Sequence, residues 1–268
     1  MIETLILMAI GAVAGVMAGL LGIGGGLIVV PALAFWLPAT GIPADVALHA
    51  AIATSLASIS VTAAASAWAH HRRGGVDARA LAWLTPGLIL GSGGGALVVA
   101  GISRSSLTVF VASFCLLAAW QIARPRAEQL ANLPERPMPS AWLAPGGLVI
   151  GAVSAAVGIG GGSLTVPLLY RLGAPLRKAI GTSAAAGFPI ALAGTVGYCF
   201  ADTPAALSRW AIGLVDLKLA LAIASLSILT APLGAALAHR LPVARLKQIF
   251  ALWLLVVAGL LVYRLSRG

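Results

Sequence analysis

Eight apolar blocks, near residues 4–36, 47–69, 80–100, 105–123, 141–170, 179–200, 215–238 and 246–263, divide this chain, and its charges gather at the joints between them. Most blocks are about 20 residues long, the length one helix needs to cross the hydrocarbon of a bilayer. Composition removes the soluble alternative. Of 268 residues, 60% are hydrophobic and 9% charged, with a mean hydropathy of +1.03; a soluble domain carries about a quarter charged residues. The expected fold is an all-α, polytopic helical bundle with lipid as its main solvent and no appended soluble domain. The start, Met-Ile-Glu, lacks the positive segment of a signal peptide, so the first block is read as mature structure.

Several function classes fall away on charge and residue type. The net charge of +10 sits in short clusters between apolar runs, as cytoplasmic positive charge does in membrane proteins, and points to no nucleic acid. Cys115 and Cys199 lie inside apolar runs as packing residues. The histidines, His49, His70, His71 and His239, have no ligand spacing with them, so neither metal nor cofactor is expected. Asp45, Asp77, Asp202 and Asp216 lie near block ends, leaving no mid-span relay of the kind a proton carrier keeps. With no Ser-His or Ser-Lys arrangement at membrane depth, an enzyme is not expected.

Blocks one and five are each about 30 residues long and broken by glycines, and the breaks expose a repeat. Residues 15–33, GVMAGLLGIGGGLIVVPAL, align with 151–169, GAVSAAVGIGGGSLTVPLL, at nine identical positions. Ala53-Thr54-Ser55 matches Gly181-Thr182-Ser183, Val76-Asp77 matches Val215-Asp216, and Gly95-Ala96 matches Gly234-Ala235. The offset stays between 128 and 139 residues, so the duplication covers nearly the whole chain. The halves are 1–123 and 141–268, joined by a cytoplasmic linker, 124–140.

Charge selects between two topologies. If every block crosses once, the 17 Lys and Arg divide ten to seven and specify no orientation. If blocks one and five turn back at their glycines, residues 72, 73, 79, 124, 126, 136, 171, 177, 178, 240, 245 and 247 share one side. Only Arg104, Arg209, Lys218, Arg264 and Arg267 are left for the other. Twelve against five is a strong positive-inside signal. It favours inverted repeats, each a broken hairpin plus three transmembrane helices, with both termini outside.

The runs Gly22-Ile23-Gly24-Gly25-Gly26 and Gly158-Ile159-Gly160-Gly161-Gly162 are poor helix material, each glycine costing about 1 kcal/mol against alanine. Backbone freed within a membrane must find protein, water or substrate. A helix starting near Leu27 or Ser163 would point its N–H groups and positive end into the break, which attracts anions without a charged side chain. Tight helix packing is the plainer role for the glycines, but their pairing in both halves favours a carrier's site. A dinucleotide fingerprint on Gly19, Gly22, Gly24 and Asp45 is contradicted by its lipid-length apolar flanks. Thr54, Ser55, Thr182 and Ser183 follow the breaks and offer hydroxyls to an oxyanion, or back-bond to their own helices. His49 and Arg177, five residues before the Thr pairs, stand at the two mouths as anion guides or as interfacial anchors.

Two G-x-G-G-G-x4-P patterns, each followed by a helix carrying Thr-Ser, resemble the sulfite exporter TauE/SafE family of permeases over almost the full length. The motif maps onto Gly22, Gly24, Gly25, Gly26 and Pro31, and onto Gly158, Gly160, Gly161, Gly162 and Pro167. Leu27 in one copy stands where Ser163 does in the other, so any extra hydroxyl at the site comes from one half. The resemblance implies transport of sulfite, organosulfonates or related sulfur-containing or small carboxylate anions across the bacterial cytoplasmic (inner) membrane. The expected function is a secondary transporter working by alternating access between the two repeats, whose partners are a small anion and the lipid bilayer. A channel, an accessory membrane subunit and a lipid-acting enzyme are the rivals, and an oligomer is compatible with the Gly91–Gly95 patch.

Overall fold

The computed structural model describes residues 2–21, 25–123, 140–237 and 243–266, so linker residues 124–139, as well as Gly22 and Gly24, lie outside the described residues. Helices run α1 Ile2–Leu21, α2 Gly26–Ala39, α3 Ala44–Arg72, α4 Ala78–Ala100 and α5 Arg104–Ala123. A 3-10 turn at Ser140–Trp142 leads into α6 Leu143–Val157, α7 Gly162–Arg171, α8 Leu176–Cys199, α9 Leu217–Leu237 and α10 Val243–Ser266. A small antiparallel ribbon, β1 Ala211–Ile212 with β2 Val215–Asp216, precedes α9. Seven helices, α1, α3, α4, α5, α8, α9 and α10, are long and apolar enough to cross a membrane; α2 and α6 are shorter apolar helices. Leu90, Val98, Leu221, Leu229 and Leu252 stand more than half exposed on them, an outer apolar surface suited to lipid rather than water. This is a multi-pass helical membrane protein.

The same local chemistry starts the third helix of each set of five. Pro43 and Pro175 occupy the N-cap positions of α3 and α8 at nearly the same angles, φ −55 and ψ 142 or 141. Proline suits a helix start because its missing N–H falls where no intrahelical partner exists. Ala44–Arg72 ends with His70, His71 and Arg72 in its last turn, which favours the negative end of the helix dipole.

Helices from the first set interleave with helices from the second. Gly11 and Gly15 of α1 lie on the backbone of Ile223 and Ser227 in α9, and Gly234 of α9 lies on Val16. Equivalently, Gly87, Gly91 and Gly95 of α4 lie on Ala144, Leu148 and Ala152 of α6. Without side chains in the way the backbones approach closely, the packing that membrane helices favour. α3 and α8 pack together at the centre, and α5 packs on α10. Arg177 at the start of α8 donates to the Arg73 carbonyl at the end of α3 at 3.1 Å, so these two central helices run antiparallel. The Asp77 N–H after α3 donates to Thr182 Oγ1 of α8 at 2.8 Å, and the Asp216 N–H after α8 donates to Thr54 Oγ1 of α3 at 3.1 Å. Each aspartate also caps the helix it precedes, accepting from Ala80 N–H or Leu219 N–H, so one joint is built twice.

Candidate functional site

Glycine stereochemistry sets the second break. α6 stops at Val157 because Gly158 takes φ +74, and α7 starts after Gly161 at φ +73. Both lie in the left-handed region that glycine enters without a Cβ penalty. In the first break, Gly25 forms the N-cap of α2. Neither α2 nor α7 has a side-chain cap, so their first-turn N–H groups depend on other partners.

The two breaks touch. A Cβ on Gly26 would collide with the Gly158 carbonyl oxygen and stand 2.9 Å from Ile159 Cα. Ser55 Oγ donates to the same Gly158 oxygen at 2.9 Å. The first half thus reaches the second break by a glycine and by a hydroxyl.

Where they meet lies a cavity of about 20 Å³. Ala18 and Gly25 of the first hairpin close one side, and Gly160 of the second break closes another. Ile59, Thr62, Ala63 and Ser66 come from α3, and Ser183, Ala184 and Gly187 from α8. Ser66 and Ser183 are buried, at 4% and 0% exposure, and neither hydroxyl has a hydrogen-bond partner among the described residues. The hydroxyls of Ser154, Ser163 and Thr165, flanking the second break, are likewise buried and unpartnered there. Thr62 donates to the Ser58 carbonyl at 3.1 Å and pairs with the Ser227 hydroxyl of α9. An unpaired buried polar group costs about 1–3 kcal/mol, so five around one break are groups that a water or a ligand would satisfy. Among the described residues, no charged side chain lines this cavity.

Of the residues singled out in the sequence, Gly25, Gly160 and Ser183 line the cavity, and Gly26, Ser55, Gly158, Gly161 and Gly162 build the break contact beside it. Thr54 and Thr182 accept the aspartate N–H groups at the joints. His49 lies at the opposite end from Arg177, its ring nitrogens 3.2 Å from the Asp45 carbonyl and 3.0 Å from that of Ile102. Pro31 and Pro167 lie within α2 and α7. The missing N–H of Pro31 frees the Leu27 carbonyl, and Trp253 Nε1 of α10 donates to it at 3.3 Å. Pro38 frees the Ala34 carbonyl in the same way, and Arg264 of α10 donates to it at 3.4 Å while stacking over Phe35 at 4.5 Å. α10 therefore holds α2, and with it the helix start at Gly26.

Sequence reasoning missed Thr62 and Ser66. The signal was present: Ser55, Ser58, Thr62 and Ser66 recur at helical spacing on one face of α3, and all four are buried.

A bundle of this kind, with broken helices around a small uncharged cavity that carries a few hydroxyls, fits a membrane transporter. Residues 7–261 match the family model described as Sulfite exporter TauE/SafE, and the chain belongs to that family. A probable membrane transporter protein of Haemophilus influenzae is 34% identical over 256 residues, covering 95% of this chain and 96% of its own. The probable membrane transporter protein YunE of Bacillus subtilis is 27% identical, covering 96% and 97%. A third, MJ0441 of Methanocaldococcus jannaschii, is 27% identical over 85% of this chain and 84% of its own. No solved structure matches.

Proposed function

We propose that this chain is a secondary carrier of a small sulfur-containing anion, sulfite or an organosulfonate, in the bacterial cytoplasmic membrane. The observation that carries the reading is the cavity between the breaks, where Ser66 and Ser183 present hydroxyls with no partner among the described residues, beside two helix starts that have no side-chain cap. Hydroxyls and helix N-termini bind oxyanions without burying a cation. A volume of about 20 Å³ suits one water molecule, so the anion enters once the bundle opens. Opening to alternate sides, with the site held between inverted repeats, gives alternating access. Gly25, Gly160, Ser183 and Ser66 are the proposed contacts; Ser55, Gly26, Gly158, Gly161 and Gly162 hold them, with Gly22, Gly24, Thr54, Thr182 and Ser163 as further candidates.

Counterflow in liposomes tests this. Liposomes holding the purified protein and preloaded with unlabelled sulfite are expected to accumulate labelled sulfite transiently, and organosulfonates should compete. Flux that neither saturates nor shows counterflow would replace the carrier with a channel. Absence of flux for every sulfur anion and small carboxylate would remove the transport reading.

The charge split assigns the end bearing Arg72, Arg73, Arg171, Arg177 and Lys178 to the cytoplasm. With Cys115 and Cys199 replaced by Ala, Ser105→Cys is expected to react with an impermeant maleimide on intact cells. Arg73→Cys should react only after permeabilisation, and the opposite pattern would reverse the orientation.

A further inference from the structure

We infer that the site between the breaks takes its substrate as a monoanion, such as hydrogensulfite or a sulfonate, and excludes dianions such as sulfite and sulfate. The inference rests on the carrier reading above and adds the charge state of the cargo. Two helix starts flank the cavity, α2 after Gly25 and α7 after Gly161. Each supplies the equivalent of roughly half an elementary positive charge, so together they match about one negative charge. Ser66 and Ser183 add neutral donors.

Among the described residues, no charged side chain lines the cavity to supply a second positive charge. The titratable or charged residues on the helices around the cavity are Glu3 on α1; Asp45, His49, His70, His71 and Arg72 on α3; Tyr170 and Arg171 at the far end of α7; and Arg177, Lys178, Tyr198 and Cys199 on α8. Lys218 stands at the start of α9, more than two helical turns before Ser227, the partner of Thr62. None lines the cavity; His70, one turn beyond Ser66, is the nearest in sequence. The Gly160 carbonyl, 3.2 Å from where a Cβ on Gly187 would stand, sets a partial negative charge against the same space. Desolvation cost rises with the square of the charge, so a dianion loses about four times what a monoanion of the same size loses. An uncharged pocket with one unit of dipole compensation cannot return that difference.

Radiolabelled methanesulfonate, sulfite and sulfate distinguish the cases in liposomes held without a pH gradient, after subtraction of protein-free vesicles. Methanesulfonate stays monoanionic across the range and serves as the internal reference, cancelling any effect of His70 or another protein group. Sulfate flux is expected to fall at least about tenfold below methanesulfonate flux. The sulfite-to-methanesulfonate ratio is expected to rise as pH is lowered from mildly alkaline to mildly acidic, following the hydrogensulfite fraction. Sulfate flux equal to methanesulfonate flux, or a sulfite ratio that is flat, falling or zero at every pH, overturns the inference and leaves the carrier standing. No flux of any of the three overturns the carrier reading itself. Ser66→Ala is expected to lower methanesulfonate and sulfite flux together while leaving their ratio unchanged; a changed ratio would place the charge selection at Ser66 instead of the helix ends.

Discussion

Gly26→Ala is expected to reduce transport to background, a loss of at least about 100-fold, while the protein still reaches the membrane. The added methyl has nowhere to go. It would collide with the Gly158 carbonyl oxygen and lie 2.9 Å from Ile159 Cα, and these backbone atoms cannot rotate aside as a side chain can. Overpacking of this kind costs about 1–3 kcal/mol, which lifts the start of α2 from the second break and separates the two helix ends. Gly94→Ala is the matched control, because nothing lies within 4 Å of a Cβ there; it should transport normally. Wild-type flux from Gly26→Ala, in protein that stays monodisperse in detergent, would disprove a functional role for the break contact.

The second large effect belongs to the hydroxyls. Ser66→Ala and Ser183→Ala are each expected to weaken apparent substrate affinity roughly 10- to 100-fold, the worth of a hydrogen bond to a charged group at about 1.5–3 kcal/mol. Stability should move the other way or hardly at all, since each hydroxyl is buried without a partner among the described residues, so its removal orphans none of them. Ser58→Ala provides the contrast: its hydroxyl already donates to the Ser55 carbonyl at 2.8 Å, so it should change substrate affinity little. Unaltered affinity in both cavity variants would sink the assignment of this cavity to the anion.

Much of the bundle was legible because lipid imposes simple rules. Block length and the glycine runs anticipated helices at Ala44–Arg72 and Leu176–Cys199 and new helix starts at Gly26 and Gly162, one residue before the positions read from sequence. The cavity walls were less legible, because they depend on which helices cross. Repetition drew attention to Thr54 and Thr182, yet a repeated joint between halves leaves the same trace as a repeated ligand contact. Ser66 was overlooked for the opposite reason. Its counterpart on α8, at the Thr54–Thr182 offset, is Gly194, so a search for what both halves share passes it by. The roles of Trp253 and Arg264 were hidden for another reason: proline frees a carbonyl at a known position, but only packing reveals what answers it.

The interleaving of α1 with α9 and of α4 with α6 also limits how the molecule can move. At both seams glycines let one backbone rest on the other, and sliding would drive carbonyl oxygens into α-carbons. Each such pair therefore travels as a single beam containing one helix from each half. The units of sequence duplication are thus not the units of mechanics. Bending is then expected in the short segments between beams, the turn at Gly158–Gly161 above all, so the residues beside the proposed site would also be the molecule's hinges.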